Sequence, residues 1–95
     1  MAFLPIQLAA GTGNTTLVTV AAGQTFAIDE LVLVCDAAGT LEVRSGSTAI
    51  VPDWPAIAGA QYTFGGLVSQ AAGDDIVLNR TDSLAVSGYL RYRVK

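Results

Sequence analysis

The sequence predicts an all-β fold: a compact antiparallel sandwich, or a jelly-roll-like barrel, of about eight strands. Three observations predict it. Strand patterns recur about every eight to twelve residues, clusters of Gly, Asn, Asp or Pro separate them, and signals of amphipathic helices are almost absent. The chain of 95 residues has room for one core, so we expect a single β-sandwich domain over residues 1–95.

The N-terminal part alternates strand patterns with short turns. Pro5 in the first strand indicates a sheet edge, because proline cannot donate to a ladder. Residues 26–36 carry a continuous apolar run, which indicates a strand covered on both faces or bent near Asp29 and Glu30. The predicted elements are a strand at 5–10, a turn at 11–14, a strand at 15–22 and a strand at 26–36.

The middle of the chain predicts a β-hairpin followed by an irregular segment. Residues 40–45, TLEVRS, alternate strictly, which places Leu41 and Val43 inward. Ser-Gly then indicates a turn into the returning strand STAIV. Two prolines flank Trp54 and cannot both serve an interior ladder, so we predict that residues 52–60 cross one end of the sandwich as a loop.

The C-terminal part predicts three more strands. The segment QYTF is a strand that runs into a glycine pair, which signals a turn or a bulge. After it the predicted elements are a loop at 67–75, a strand at 75–80, a turn at 81–83 and a closing strand at 83–95.

The closing strand, SLAVSGYLRYRVK, has one apolar face. Its inward positions are predicted to be Leu84, Val86, Leu90, Tyr92 and Val94. Its outward positions hold three of the five cations of the chain, and they are candidate partner-binding residues: Tyr89, Arg91, Arg93 and Lys95. Cations two residues apart on a strand lie about 7 Å apart and repel each other unless nearby acidic side chains neutralise them. Those acids lie either on an adjacent strand, where Glu42 and Asp82 are the candidates, or on another protein.

The composition predicts a partner. The chain is 52% hydrophobic and 14% charged, where about 25% charged is typical. A single small domain cannot bury that much apolar surface alone, so we expect a homo-oligomer, with a trimer favoured, or a docked subunit. Residues 1–28 and 54–73 carry no charge at all, and an interface can bury such stretches without unpaired ions.

The residues available for chemistry are few. Histidine is absent and the only lysine is the last residue, which removes the commonest general bases. Asp74 and Asp75 match no calcium-loop spacing, and the glycines at 11–13 and 65–66 precede neither a helix pattern nor a lysine. We therefore expect a protein that is not an enzyme, with no cofactor and no metal site.

Charge and hydropathy argue against two further classes. The net charge is −3 and the cations form no long run, so nucleic-acid binding is not the expected task. No segment reaches the about 20 uninterrupted apolar residues that span a membrane. Cys35 lies in the apolar run LVLVC and is predicted to be a buried, reduced thiol, which fits an intracellular site of synthesis.

Two aromatic residues are further candidates for partner binding. Trp54 lies between prolines, and Tyr62 shares a strand face with Phe64. Exposed aromatic rings stack on the apolar faces of sugars, which suggests a glycan platform. The interpretation that we favour is that Trp54 plugs an end of the sandwich or packs on a neighbouring subunit.

The second half of the chain adds a resemblance. The segment STAIVPDWPAIAGAQYTFGGLVSQAAGDDIVLNRTDSLAVSGYLRYRV resembles the small β-sandwich accessory proteins of tailed bacteriophages. In these, a glycine-rich strand pair precedes a turn, a strand, a polar turn and a long closing strand of the form V-x-G-x-L-x-Y. The likeness covers roughly residues 40–94. It implies a jelly-roll-like sandwich, often trimeric, that decorates or cements a capsid where capsomers meet, and it brings no catalytic residues.

Composition and resemblance together predict a structural virion protein. We expect a capsid decoration or cement subunit that is synthesised in the host cytoplasm and lies on the capsid exterior, with the major capsid protein as its partner. The alternative is a virion-surface or tail-associated module that binds a glycan or receptor, with Trp54 and Tyr62 as its anchors.

Overall fold

The computed structural model describes residues 2–95. All regular secondary structure within this range is β-strand. The all-β prediction is confirmed, with seven strands where the sequence predicted about eight. The strands are β1 (Ala2–Val18), β2 (Phe26–Cys35), β3 (Gly39–Ser45), β4 (Thr48–Ala56), β5 (Gln61–Phe64), β6 (Leu67–Val68) and β7 (Ile76–Val94).

One antiparallel sheet contains all seven strands and curls into a half-barrel. The strand order is β4-β3-β7-β2-β5, with β1 along β7 and β6 beside β2. Residues 76–80 of β7 lie between β3 and β1, whereas residues 86–92 lie between β1 and β2. The sheet therefore has a β3 half and a β2 half, and both β1 and β7 contribute to each.

The strand β7 folds over between the two halves. At about 3.3 Å per residue, a straight strand of its length would span about 60 Å, but the longest dimension of the molecule is 36 Å. Both ends of β7 also reach the same loop: Val20 donates its N–H to Asp75 Oδ1 at 2.8 Å, and Thr25 and Lys95 exchange two backbone hydrogen bonds of 2.9 Å.

Two predicted turns are wrong, because the chain bends there within long strands. Residues 11–14 belong to β1 and residues 81–83 belong to β7. The register shifts on either side of Gly11 put one extra residue on β1 between Leu8 and Gly11, and two extra residues on β7 between Arg80 and Leu84. Both strands therefore absorb the curvature in bulges, and residues 81–83 have no ladder partner. A bulge uses the same glycines as a turn and keeps the strands paired. The predicted edge position of Pro5 is consistent with this pairing, since β1 pairs with β7 alone among the described strands.

The predicted crossing loop at 52–60 is also wrong in its first half. Residues 52–56 belong to β4, and only residues 57–60 lie between β4 and β5. Because β4 pairs with β3 alone among the described strands, it is an edge strand, where a proline removes no ladder bond when its nitrogen faces away. Asp53, with φ of 36°, bulges opposite β3. The predicted loop at 67–75 likewise contains the two residues of β6.

Other local predictions are confirmed. Leu41 and Val43 point into the core, and β3 and β4 form the expected hairpin. A register shift between Ile28 and Glu30 places a bulge in β2, at the predicted bend near Asp29.

The core lies between the two halves of the sheet. The predicted inward residues Leu84, Val86 and Leu90 are fully buried, and Tyr92 packs on the core from its edge. Val94 was predicted to be packed, but it is 38% exposed because it ends the strand beyond the core. Cys35 is buried and free as predicted. Burial raises the pKa of its thiol, the charge of Asp36 adds to this, and Arg80 partly offsets it.

An arginine lies inside the bend, which the sequence did not predict. Arg80 is only 7% exposed. Its Nη1 donates to the backbone oxygens of Ala9 at 2.7 Å and Leu84 at 2.6 Å, and its Nη2 donates to Thr15 Oγ1 at 3.4 Å. The two carbonyl groups lie where β1 and β7 bend. Arg80 therefore supplies the hydrogen-bond donors that the ladder lacks at this point.

Gly88 is required by the close approach of β7 to β2, and replacing it should destabilise the fold. Its φ is 148°, and a Cβ at this position would lie 1.8 Å from the backbone oxygen of Val32. We expect Gly88→Ala to lower the free energy of unfolding by at least about 2 kcal/mol in denaturant titrations. Gly23→Ala is the control, since its φ is also positive but no atom lies within 4 Å of the added Cβ. Equal losses in the two variants would contradict the close approach.

Candidate interaction surfaces

The six predicted partner-binding residues fall on two separate surfaces. Tyr89, Arg91 and Arg93 project from β7 on the outer face of the β2 half, and Lys95 follows the end of that strand. Trp54 and Tyr62 lie on β4 and β5, at the opening of the half-barrel.

Acidic residues on β2 form ion pairs with the arginines of β7. Arg93 makes two contacts with Asp29, Nη2–Oδ1 at 2.8 Å and Nε–Oδ2 at 3.1 Å. Arg91 lies further from Glu30, with Nε–Oε1 at 3.8 Å, and its side chain remains about half exposed. The bulge in β2 presents both acids beside β7. The prediction of acids on an adjacent strand is therefore confirmed for the two arginines.

The acids named from the sequence, Glu42 and Asp82, are the wrong ones. Glu42 pairs with Arg44 at 2.6 Å, and this hydrogen bond holds the pKa of the Glu42 carboxyl below its usual value. Asp82 accepts the N–H of Thr40 at 3.2 Å. The physical reason is topological: β3 pairs with residues 76–80 of β7, far along the strand from the arginines.

An aromatic ridge stands beside these ion pairs, and the sequence did not reveal it. Phe3 is 59% exposed, and its ring stacks on Tyr89 with centroids 5.5 Å apart and planes 14° apart. The guanidinium of Arg91 lies 5.5 Å from the Tyr89 centroid, a cation–π distance. Phe3 has the same parity as Pro5, but only the register of β1 on β7 places it opposite Arg91.

A groove of about 720 Å³ lies at the other end of the same outer face. Its lining is formed by small or polar side chains over an apolar floor. The lining residues are Gln7, Leu8, Ala9, Val34, Cys35, Asp36, Gly59, Ala85, Val86 and Ser87. The outer face of the β2 half thus carries a ridge at one end and a groove at the other.

Trp54 and Tyr62 contact each other across the opening of the sheet. The Trp54 ring meets Tyr62 edge-on at 5.9 Å and Phe64 edge-on at 5.2 Å. The Tyr62 hydroxyl accepts the N–H of Ile57 at 2.8 Å. Because β4 and β5 are the two ends of the strand order, these rings hold the curled sheet together. Trp54 stays 38% exposed.

Asp74 stabilises a turn. Asp74 accepts hydrogen bonds from Ser45 Oγ at 2.8 Å and the N–H of Ala71 at 3.1 Å. Within residues 2–95, no three His, Cys, Asp or Glu side chains lie close enough to hold a metal ion. No helix in that range is long and apolar enough to cross a membrane.

No protein-family model, curated protein or solved structure matches the chain.

Tyr89 should ionise at higher pH than an ordinary tyrosine. Its hydroxyl donates to Glu30 Oε1 at 3.0 Å, and this bond, followed by partial burial and the charge of Glu30, raises the pKa of the phenol. The folded-state pKa is above the unfolded value of about 10, so any stabilisation is present below pH 10 and is lost as pH rises through the folded pKa.

Glu30→Gln tests this assignment. The amide keeps an acceptor but removes the charge, so the pKa of Tyr89 should fall toward its usual value in an NMR titration of the ring. Glu42→Gln, on the β3 half, is the control and should leave the Tyr89 titration in place. An unchanged pKa in Glu30→Gln would refute the assigned cause.

Proposed function

We propose that the protein is a structural assembly subunit that decorates or cements a viral capsid, without an enzymatic activity. The observation that carries the proposal is β1. This strand of 17 residues contains no charged side chain and pairs only with β7 among the described strands, so its other edge presents free backbone groups.

Such an edge is unusual on a protein that acts alone. Natural proteins protect their edge strands with lysines, other charges, bulges or covering loops, because a free edge pairs with other chains. In β1 such devices are Pro5, the register shifts around Gly11 and a third shift between Thr16 and Val18. Residues 13–16, which lie between the bulge at Gly11 and the register shift before Val18, form an uncharged edge in continuous register on the β3 half. This stretch supports strand addition or close packing against another subunit.

The capsid role rests on the resemblance of residues 40–94 to phage accessory proteins. A decoration subunit binds where shell proteins meet and stabilises the shell by mass action, since it binds the assembled form and not the free subunits. The proposed partner is the major capsid protein, the proposed location is the capsid exterior, and the proposed form is a homo-oligomer.

Binding to capsids tests this proposal. Purified protein should bind capsids assembled from the major capsid protein of the same genome at saturating, symmetric stoichiometry, and it should raise their melting temperature. Thr16→Lys places a charge on the free edge at an exposed position, and we expect it to weaken binding about tenfold or more.

The matched control is Gln24→Lys, which adds the same charge in the exposed loop after β1 and should bind as the wild type does. If the wild-type protein neither binds the capsids nor shifts their melting temperature, the proposed function is wrong. If both lysine variants bind normally, the free edge is not the surface that contacts the shell.

The second candidate is a glycan- or receptor-binding module. The contact between Trp54 and Tyr62 favours it, because both proposed anchors lie together and Trp54 is partly exposed. A glycan array should then show selective binding that Trp54→Ala removes and Ile57→Ala, at a neighbouring exposed apolar residue, retains. A uniformly blank array would eliminate this candidate.

A further inference from the structure

We propose that residues 52–55 of β4, named the strap, open from the edge of β3 while the rest of the sheet stays folded, and that the side chain of Trp54 holds the strap closed. The strap has the sequence PDWP. This conformational device goes beyond the proposed function and does not depend on it.

A single residue pair joins the strap to the ladder of β3. The N–H of Thr40 donates to Asp82 Oδ2 at 3.2 Å, and its oxygen accepts the hydroxyl of Thr81 at 3.2 Å. Both backbone groups of Thr40 therefore face β7. Because the backbone groups of successive residues in a strand point to opposite edges, Leu41 directs its N–H and C=O toward β4. The register places Trp54 opposite it.

The rest of the strap offers β3 few hydrogen bonds. Pro52 and Pro55 have no N–H to donate, and Asp53 lies at a register shift, where β4 has one extra residue between Val51 and Trp54. The φ of Asp53 is 36°, in the left-handed region that favours glycine and strains other residues. Opening of the strap therefore breaks the ladder bonds of one residue pair and relieves the strain at Asp53.

The strap is exposed, but both of its ends are fixed. All four of its residues are exposed, whereas Val51 before it packs against the core and Ala56 after it is only 4% exposed. These two flanking residues also have partners on β3, Val43 and Gly39. Lifting the strap therefore moves four residues and does not displace the buried residues at its ends.

The ring of Trp54 is the latch of the strap. It meets the rings of Tyr62 and Phe64 on β5 edge-on, with centroid distances of 5.9 Å and 5.2 Å, although β4 and β5 share no ladder within the described residues. The rings on β5 are positioned without the strap, because Tyr62 pairs with Leu33 and Phe64 with Leu31 on β2. Since edge-on aromatic pairs are stabilising beyond the area that they bury, loss of the indole should favour the open strap.

Opening of the strap uncovers a strand edge. The N–H and C=O of Leu41 lose their partner, and the edge of β3 then presents free backbone groups of the kind that pair with other chains. The closed strap protects this edge. Segments that open at a lower free energy than the whole fold have exposed hydrogen bonds and few apolar contacts, and the strap combines both properties.

Amide hydrogen exchange of the purified full chain, followed by NMR, tests the strap. Leu41 and Val43 are a matched pair of reporters: they lie on the same strand with the same orientation, but Val43 lies opposite Val51, outside the strap. We expect the Leu41 amide to exchange about 100-fold or more faster than the Val43 amide. Its exchange should depend little on denaturant, because the opening exposes little surface.

Trp54→Ala tests the latch. It should accelerate exchange of the Leu41 amide, relative to that of Val43, by about tenfold or more. Trp54→Phe keeps an aromatic ring and should have a smaller effect in the same direction. Phe3→Ala removes an exposed ring on the outer face of the β2 half and is the control, in which the ratio of the two exchange rates should stay at its wild-type value.

Two results would overturn the inference. If the Leu41 amide exchanges as slowly as that of Val43, or with the denaturant dependence of global unfolding, the strap does not open locally. If Trp54→Ala and Phe3→Ala change the ratio of the two rates equally, Trp54 is not the latch. The comparison within the wild-type protein needs no variant, and Trp54→Phe decides about the latch if Trp54→Ala does not fold.

Discussion

The pairing of β1 with β7 through a shared bend is the interaction on which the rest of the structure depends. The two strands pair antiparallel from Ala2 opposite Tyr92 to Val18 opposite Ile76, with three register shifts between these ends. Neither strand fits as a straight line in a molecule whose longest dimension is 36 Å. Because each strand contributes to both halves of the sheet, the halves remain hydrogen-bonded to each other and the core closes between them. Bulges between β1 and β7 accommodate the curvature, while most hydrogen-bonded pairs between the two strands are retained.

Arg80 contributes to the bend, and Gly88 permits the close contact between β7 and β2. A buried guanidinium is costly unless it is hydrogen-bonded. Arg80 Nη1 donates to the carbonyl groups of Ala9 and Leu84 at the bend, whereas its Nε is buried without a hydrogen-bond partner. Gly88 allows β7 to approach β2 more closely than any side chain permits. The arginine-bearing end of β7 lies beside the bulge of β2. There Asp29 and Glu30 form ion pairs with Arg93 and Arg91 within the chain.

Folding leaves two kinds of exposed surface on the molecule. The free edge of β1 on the β3 half and the ridge and groove on the β2 half lie on different parts of the molecule. The aromatic contacts of Trp54 close the sheet opening, which gives this residue a packing role whether or not a ligand also binds there.

The sequence by itself determined what depends on nearest neighbours: the all-β class, the alternation that buries Leu84, Val86 and Leu90, and the hairpin after residues 40–45. It did not distinguish turns from bulges at 11–14 and 81–83, because glycine and polar residues serve both and only the partner strand selects between them. The ion-pair partners and the ridge depended on the tertiary structure. Strand alternation says which side of a sheet a residue occupies, but the register between strands distant in sequence decides what it touches.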